Sequence, residues 1–389
     1  DADFYGISAT SSVSRWIYEI AKYLKENTAG KIVAGGAHPT SMTRQTLEDT
    51  VVDYIIRGDG EEPMYQLVSG VDLDKIPGLC YWKDGKIVEK ERHYHKNLDE
   101  LPFPTRLDIN KYHRYIGEET ALHLITLRGC PYNCSFCDKT SVGRGVRFSS
   151  VENVMAEIDS INRQHGLRCF VICDEIFPLK KKRTQQFCEE FKKRNLKWRC
   201  WCRADLINEE SLEMMKDAGL VSIQIGIESG DDGVLKSLNK SSTYEINKNA
   251  LLTCKKIGMP IRCNLMFGNP GETKETLDNT IKLIEEAQPE EWTLSILVPV
   301  PGSDMWINPE KYGLIFDKTM ARRNHYLMTN RWADSGVGDI WTSLKGVSNE
   351  ELKSNLEYFV KELERVCPRD SVQDNVQHIH IDKVRIMGN

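Results

Sequence analysis

Residues 121–140 read ALHLITLRGCPYNCSFCDKT, an apolar run followed by a loop that carries three cysteines. The run has the aliphatic composition of a buried strand, and a Gly and a Pro end it in a turn. Cys130, Cys134 and Cys137 then fall within eight residues of one another. Parallel barrels present their chemistry at the carboxyl ends of their strands, and this loop takes that place.

The alternation of strand and helix continues after this loop. Each later strand follows an amphipathic, helix-like segment, and the five strands read RCFVICD, KWRCWCR, VSIQIGIES, PIRCNLMFG and WTLSILVPV. Six such repeats predict an α/β fold whose main part is a partial (β/α)6 parallel barrel. Ser150 and Asn208 are expected to cap helix N-termini, while Gly166, Gly219 and Gly258 stand where C-terminal glycines belong.

A shorter unit precedes the barrel. Its segments DFYGISAT, KIVAGGAH and DYIIRGDGEE read as strands separated by helices, which predicts an incomplete Rossmann-like α/β unit of about three strands. A hairpin turned at Asp84–Gly85 and a proline-containing connector follow. We divide the chain into this front unit at 1–72, a linker with the hairpin at 73–115, the barrel at 116–302 and a C-terminal substrate or capping region at 303–389.

Composition narrows the functional classes. The chain has 389 residues, a formal net charge of -5 and 40% hydrophobic residues, so neither a nucleic-acid nor a membrane surface is expected. No apolar stretch approaches the roughly 18 residues of a membrane span. Twelve cysteines in a long chain without a secretory signal indicate a reducing cytoplasm rather than a disulfide framework. The chain begins DADFYGIS, without Met and in mid-strand, so we expect a native N-terminal segment ahead of it.

Three interpretations of the cysteine loop compete. A structural zinc site wants four ligands, and no fourth Cys or His lies nearby in sequence. A chance group of buried thiols would not need the turn chemistry of the loop. A [4Fe–4S] cluster held by three thiolates would leave one iron open to a ligand, as a catalytic cluster needs. The residues favour the cluster. Cys200 and Cys202 share one face of their strand and are expected to be core thiols rather than ligands of a second cluster.

The spacing Cys-x3-Cys-x2-Cys, with Phe136 before the last cysteine, resembles the radical S-adenosylmethionine (SAM) superfamily. This resemblance implies that Cys130, Cys134 and Cys137 hold a [4Fe–4S] cluster and that Phe136 lies at the cofactor site. It also implies that the open iron binds SAM through its amino and carboxylate groups. Electron transfer would then cleave SAM into methionine and a 5′-deoxyadenosyl radical.

The same resemblance extends along the later strands, from CDEIF through GIESGDDGVLKSLNK to MFGNPGET and VPVPGS. It implies that Asp174 and Glu175 lie near the SAM amino group, and an acidic loop is the alternative for each. It implies that Arg203 grips the SAM carboxylate, for which a surface salt bridge is the alternative. The remaining matching residues, near the ribose and methionine ends and on the adenine side of SAM, are Glu228, Ser229 and Gly268.

The front unit resembles the later half of the cobalamin-binding domain found in one large class of radical SAM proteins. Ser8 and the pair Gly35–Gly36 are spaced as in domains where a Ser and a Gly pair cradle the nucleotide tail of cobalamin. The early strand and loop that lie over the corrin in that class, sometimes with an axial His, have no counterpart here. His38 is expected to be a loop histidine. Cobalamin binding is therefore a hypothesis.

The resemblance implies an enzyme that reductively cleaves SAM to start radical chemistry on a small organic substrate. With cobalamin, we expect methyl transfer to an unactivated carbon or to phosphorus. An electron donor such as flavodoxin or ferredoxin is the expected partner. Substrate contacts are expected from the C-terminal region, including Tyr326, Arg331 and Trp332, and no residue is assigned to catalysis.

Two other functions stay open. A cobalamin-independent radical SAM enzyme would carry out cyclisation, rearrangement or methylthiolation. Methylthiolation would need a second cysteine triad ahead of the barrel, yet only Cys80 precedes residue 130. The other alternative is a non-enzymatic iron–sulfur redox protein, which would not need the SAM-gripping residues.

Overall fold

The computed structural model describes residues 2–106, 115–116, 119–316, 318, 339–340, 342–368 and 385–386. Its described part is a mixed α/β fold with two main sheets. Helices are numbered in chain order as α1 Arg15–Asn27, α2 Ala37–Ser41, α3 Thr43–Asp49, α4 Glu61–Val68, α5 Val151–His165, α6 Lys181–Lys193, α7 Glu209–Asp217, α8 Asp232–Ser237, α9 Tyr244–Ile257, α10 Lys274–Ala287, α11 Asp304–Ile307 and α12 Asn349–Val366. The strands are β1 Phe4–Ser8, β2 Lys31–Gly35, β3 Tyr54–Ile56, β4 Leu79–Lys83, β5 Lys86–Val88, β6 Tyr115–Ile116, β7 Glu119–Leu124, β8 Leu127–Arg128, β9 Arg147–Phe148, β10 Cys169–Ile172, β11 Lys197–Arg203, β12 Leu220–Glu228, β13 Ile261–Phe267, β14 Glu291–Ile296, β15 Leu314–Ile315, β16 Asp339–Ile340, β17 Ser343–Leu344 and β18 Arg385–Ile386.

The front sheet has five strands in the order β1-β2-β3-β4-β5. The first three are parallel, and Ser8 at the end of β1 lies opposite Gly35 at the end of β2. The hairpin forms at Asp84 and Gly85, which both have positive φ angles of 48° and 71°. Its first strand pairs antiparallel with β3, so this part of the predicted linker is hydrogen-bonded into the front sheet.

The second sheet is a curled parallel half-barrel of six strands in the order β14-β13-β12-β11-β10-β7, and the short β6 adds antiparallel to β7. All four residues of β10 are buried, as expected where a parallel sheet is covered on both faces. Trp198, Phe187 and Phe191 fill the layer between this sheet and α6 with edge and tilted ring contacts. The predicted partial barrel with a Rossmann-like unit is confirmed. Cys200 and Cys202 are buried in this core.

The predicted helix caps form. The Ser150 hydroxyl accepts a hydrogen bond from the Asn153 amide, and the Asn208 side chain accepts one from the Ser211 amide. Gly166 and Gly258 end their helices in the left-handed conformation, with φ angles of 70° and 67°.

The C-terminal helix α12 completes the core behind the last barrel strands. The indole of Trp292, on β14, donates to the carbonyl of Cys367, and Gln288 donates to the carbonyl of Val366. Tyr326, Arg331 and Trp332 lie outside the described residues. In the part of the chain that is described, no helix is long and apolar enough to span a membrane.

Polar contacts join the front unit to the barrel. Asp59, which follows β3, is buried between two guanidinium groups, at 3.1 Å from Arg128 and in contact with Arg147. Ser41, at the end of α2, donates to Asp138 of the cysteine loop over 3.1 Å. The two units therefore meet at the edge where both sheets present their strand ends.

Candidate active site

The carboxyl ends of the barrel strands bring most of the predicted site residues to one edge. The cysteine loop follows β7 and β8, Asp174 and Glu175 follow β10, and Arg203 ends β11. Glu228 ends β12 and Gly268 follows β13. This is the edge at which parallel α/β sheets bind ligands.

The cysteine loop is held in place by elements far away in sequence. The amide of Ser135 donates to the carbonyl of Leu238, and the amide of Met305 donates to the carbonyl of Ser135. The side chain of Asn239 donates to the carbonyl of Asn133 over 2.6 Å. The end of α8 and the start of α11 thus fix the loop on both sides of its second cysteine.

The three cysteine side chains offer a donor set that fits a cluster better than a single ion. Cys130 and Cys134 are half-buried, and Cys137 has an exposed surface. Desolvation within the loop, and then the neighbouring Cys134, raise the pKa of Cys137 to about 12. A closed zinc site needs a fourth donor, whereas a four-iron cluster held by three thiolates keeps one iron open to a ligand.

Arg203 lies against the cysteine loop. Its guanidinium is 3.6 Å above the ring of Tyr132 and 3.7 Å from the sulfur of Cys134. Its Nε donates to Asp205 over 2.8 Å, and Tyr132 donates its hydroxyl to the same carboxylate. Sequence reasoning missed Tyr132, although its place inside the cysteine motif is a signal for it.

Asp174 and Glu175 occupy different environments. Both oxygens of Asp174 are taken by the β7–β8 connection, where they accept from the amide and hydroxyl of Thr126 and from the amide of Leu127. Burial raises the pKa of Asp174 to about 7 despite these hydrogen bonds. Glu175 accepts from the amide of Gly129 over 3.2 Å, and burial raises its pKa as well. The predicted contact of Asp174 with SAM stays a prediction. The observed hydrogen bonds of Asp174 stabilise the end of the strand ahead of the cysteine loop.

Glu228 stands at an irregular point of the sheet. Its φ angle is 64°, and the register between β12 and β13 shifts beside it. Its carboxylate pairs with Lys240 at 2.8 Å, and both side chains are nearly buried. Ser229 is buried, and its hydroxyl accepts from the amide of Asp231 at the start of α8. Lys240 was missed by sequence reasoning, because only the fold brings it back to the strand end.

The loop after β13 folds around a buried carboxylate. Gly268 has a φ angle of 82°, and its amide donates to Glu272 over 2.8 Å. Asn269 donates to the same side chain, and burial raises the pKa of Glu272 to about 7. Glu272 was also missed, although a single carboxylate in the turn NPGE is a usable signal.

The front unit ends its first two strands in small residues. Ser8 is exposed beside Gly35, and Gly36 has a φ angle of 89°. A Cβ atom at Gly36 would come within 2.9 Å of the Ser8 hydroxyl and of the Ala9 carbonyl. The conformation thus requires glycine. His38, expected in a loop, instead lies in α2 and is fully buried.

Two family models match the chain: the radical SAM superfamily over residues 124–284 and the B12 binding domain over residues 1–68. An uncharacterized methyltransferase from Pyrococcus horikoshii is 30% identical over 367 residues, which cover 92% of this chain and 77% of the relative. The chain belongs to the radical SAM superfamily. It carries a B12-binding domain ahead of the radical SAM barrel.

This radical SAM enzyme has more distant relatives of known structure. The structure of the radical SAM methyltransferase TsrM from Kitasatospora setae, with cobalamin and a [4Fe–4S] cluster bound, matches 100% of this chain and 81% of that chain. The TM-score is 0.70 at 17% identity, which supports the fold.

A second curated relative is similar in sequence. The anaerobic magnesium-protoporphyrin IX monomethyl ester cyclase of Rubrivivax gelatinosus is 32% identical over 290 residues. That match covers 70% of this chain and 52% of the cyclase.

Membership of the radical SAM superfamily implies a [4Fe–4S] cluster and SAM, and the B12-binding domain implies cobalamin. The residues present fit these groups. Cys130, Cys134 and Cys137 offer three thiols, one fewer than a closed zinc site needs, on a loop fixed from both sides. At the front edge, Gly35 and Gly36 put no side chain beyond the end of β2, and the Ser8 hydroxyl is exposed at the end of β1 as a polar contact for a ligand chain.

Proposed function

We propose that this radical SAM enzyme is a cobalamin-dependent methyltransferase that acts on a small organic molecule, at an unactivated carbon or at phosphorus. The hydrogen bond between Ser41 and Asp138 carries the proposal. Helix α2, which ends at Ser41, begins directly after the Gly35–Gly36 pair, and Asp138 directly follows Cys137. The edge proposed for the cobalamin tail and the loop proposed for the cluster are therefore joined by one hydrogen bond, which supports two cofactors held on the same side of the protein. The similarity to a named methyltransferase supports the same outcome.

When bound, the reduced cluster and SAM supply a radical, and cobalamin supplies the methyl group. We propose that Arg203 binds the SAM carboxylate, because its guanidinium lies at the rim of the cysteine loop beside Cys134. Glu175 is proposed to meet the SAM amino group, and Glu228, oriented by Lys240, to meet the ribose.

The other predicted residues are proposed to shape the same site. Phe136 packs against the main core and fixes the direction of the cysteine loop. Gly268, which has no side chain, is proposed to let the adenine of SAM lie close to the backbone. Asp174 and Ser229 are proposed to act through the loops that they brace, since both oxygens of Asp174 accept from the β7–β8 connection and the Ser229 hydroxyl accepts from the Asp231 amide.

The cellular setting completes the proposal. We propose that a low-potential donor such as flavodoxin or ferredoxin reduces the cluster, and that the enzyme works in the cytoplasm. All twelve cysteines are free, which suits a reducing compartment. The C-terminal region at 303–389 is proposed to contribute substrate contacts, and the division at 72, 115 and 302 remains our proposed domain organisation.

The test is anaerobic purification of the full chain, loading with iron, sulfide and hydroxocobalamin, and reaction with reductant and SAM. We expect about four irons per chain and corrin absorbance that survives desalting. Both 5′-deoxyadenosine and S-adenosylhomocysteine should form, and the second should depend on cobalamin.

The Cys137→Ala change is expected to abolish both products, whereas Cys188→Ala, at a buried thiol on α6, serves as the matched control. Formation of 5′-deoxyadenosine without S-adenosylhomocysteine would contradict methyl transfer. That result would favour ring formation, the activity named for the similar cyclase. A cluster that ignores SAM would instead indicate an electron carrier.

A further inference from the structure

A second group of donors lies in the front unit, away from the cysteine loop. Glu62 of α4, His93 and His95 each offer one ligand atom, and these atoms all lie within 4.8 Å of one another. Within the described residues, no other three His, Cys, Asp or Glu side chains meet that distance. The two histidines follow the hairpin, so segments about thirty residues apart meet here.

The distances match those between ligands of one small ion. Oε2 of Glu62 is 3.1 Å from Nε2 of His93 and 3.4 Å from Nδ1 of His95. With bonds of about 2.0 to 2.1 Å, the ligands of a tetrahedral Zn²⁺ stand roughly 3.3 Å apart. Although Nε2 of His93 lies this close to Glu62, this buried atom makes no hydrogen bond with any described residue.

Outer contacts orient the donors. The Gln66 side chain donates to Oε1 of Glu62 over 3.0 Å, which leaves Oε2 to face the histidines. Nε2 of His95 is 3.3 Å from a carboxylate oxygen of Glu100, although it makes no hydrogen bond within the described residues. Histidines that bind a metal commonly direct their second nitrogen at a carboxylate, and Glu100 is near enough to take that place.

Hydrogen bonds hold the backbone of both histidines against the residues that follow β3. The His93 amide donates to the Arg57 carbonyl, and the His93 carbonyl accepts from the Asp59 amide. The His95 amide donates to the Asp59 carboxylate over 2.9 Å. A side chain at Gly58 would collide with the His93 carbonyl, so glycine is needed for this approach. The donors are therefore placed before any ion arrives.

We propose that Glu62, His93 and His95 bind a Zn²⁺ ion, with water in the fourth position. Two imidazoles and one carboxylate form a donor set that zinc accepts, whereas Mg²⁺ and Ca²⁺ prefer oxygen ligands. A cavity of about 600 Å³, lined in part by His93 and Arg147, lies beside the group. Because Arg147 also donates to the His95 carbonyl, the ion stabilises the junction between linker, front unit and barrel.

The first experiment uses the unaltered, cluster-loaded full chain. It is equilibrated with micromolar Zn²⁺ and desalted, and zinc and iron are counted by mass spectrometry. We expect about one zinc per chain with the iron count unchanged. X-ray absorption at the zinc edge should show only nitrogen and oxygen neighbours near 2.0 Å. Sulfur neighbours near 2.3 Å would mean that zinc has displaced iron at the cysteines, and would overturn the proposal.

Variants then locate the ion. His93→Ala, His95→Ala and Glu62→Gln should each weaken Zn²⁺ binding by more than about tenfold, and Glu100→Gln should have a smaller effect. His165→Ala and Glu91→Gln, at a histidine and an exposed carboxylate outside the group, should leave the affinity unchanged. Equal zinc content in all variants, or no zinc in the unaltered chain, would refute the site.

Discussion

At the scale of single residues, the site depends on carboxylates buried behind the strand ends. The pKa of Asp174 is raised to about 7 because burial outweighs its three hydrogen bonds. The folded state therefore holds a proton at Asp174 that the unfolded chain releases at lower pH. The stability that this proton contributes is complete below about pH 4 and is lost as pH rises through about 7.

Replacing Asp174 with Asn should remove this pH dependence, because the amide cannot ionise and still accepts from the Thr126 amide. The free energy of unfolding of the variant, relative to the parent, should rise by more than about 1 kcal/mol between about pH 4 and pH 8. Urea unfolding of both proteins at several pH values measures this difference. A difference that stays constant with pH would show that Asp174 is ionised in the folded protein.

Gly36 is a second residue on which the site depends, because its backbone conformation requires glycine. Gly36→Ala should cost about 1–3 kcal/mol of folding free energy, because its φ angle of 89° is strained for any side chain. The new Cβ would also crowd the Ser8 hydroxyl, so corrin retained after desalting should fall. Gly60→Ala is the matched control, since a Cβ atom added at Gly60 would have no neighbour within 4 Å. Full corrin retention by Gly36→Ala would place the nucleotide tail elsewhere.

At the scale of elements, α2 connects the front sheet to the cysteine loop through Ser41. Ser41→Ala removes the hydrogen bond to Asp138 and leaves the three cysteines intact. We expect an unchanged iron count and unchanged 5′-deoxyadenosine formation, with S-adenosylhomocysteine formation lowered several-fold. Ser12→Ala, at an exposed hydroxyl of the same unit, should change neither product. An equal fall in both products would assign Ser41 to the cluster loop alone.

At the scale of the whole molecule, Asp59 holds the two units together. Its side chain is 5% exposed, between Arg128 at 22% and Arg147 at 13%. Asp59→Ala leaves Arg147 without its carboxylate and Arg128 with Glu61 alone, which should cost about 1–3 kcal/mol. Hydrogen exchange should then rise in the front unit more than in the barrel. Glu210→Ala, in an exposed pair with Lys181, is the control and should leave exchange unchanged.

Much of this architecture follows from local patterns in the sequence. Local sequence properties are enough to predict the barrel strands, the caps at Ser150 and Asn208 and the cysteine loop. These properties are the periodicity of apolar residues, the placement of glycines and the spacing of the cysteine ligands. Lys240 is not predictable in the same way, because only the folded chain sets it against Glu228. The turn NPGE marks Glu272 in the sequence, but its burial also depends on the folded chain. The pairing of the hairpin with β3 likewise depends on an edge that exists only after the front sheet forms.

The shared contact at Asp138 has a consequence for chimeric proteins. Ser41 of the front unit donates to Asp138 of the cysteine loop, and Asp59 lies between Arg128 and Arg147 of the barrel. A front unit taken from another protein therefore has to present a hydroxyl and a carboxylate at these two places before it can dock against this barrel.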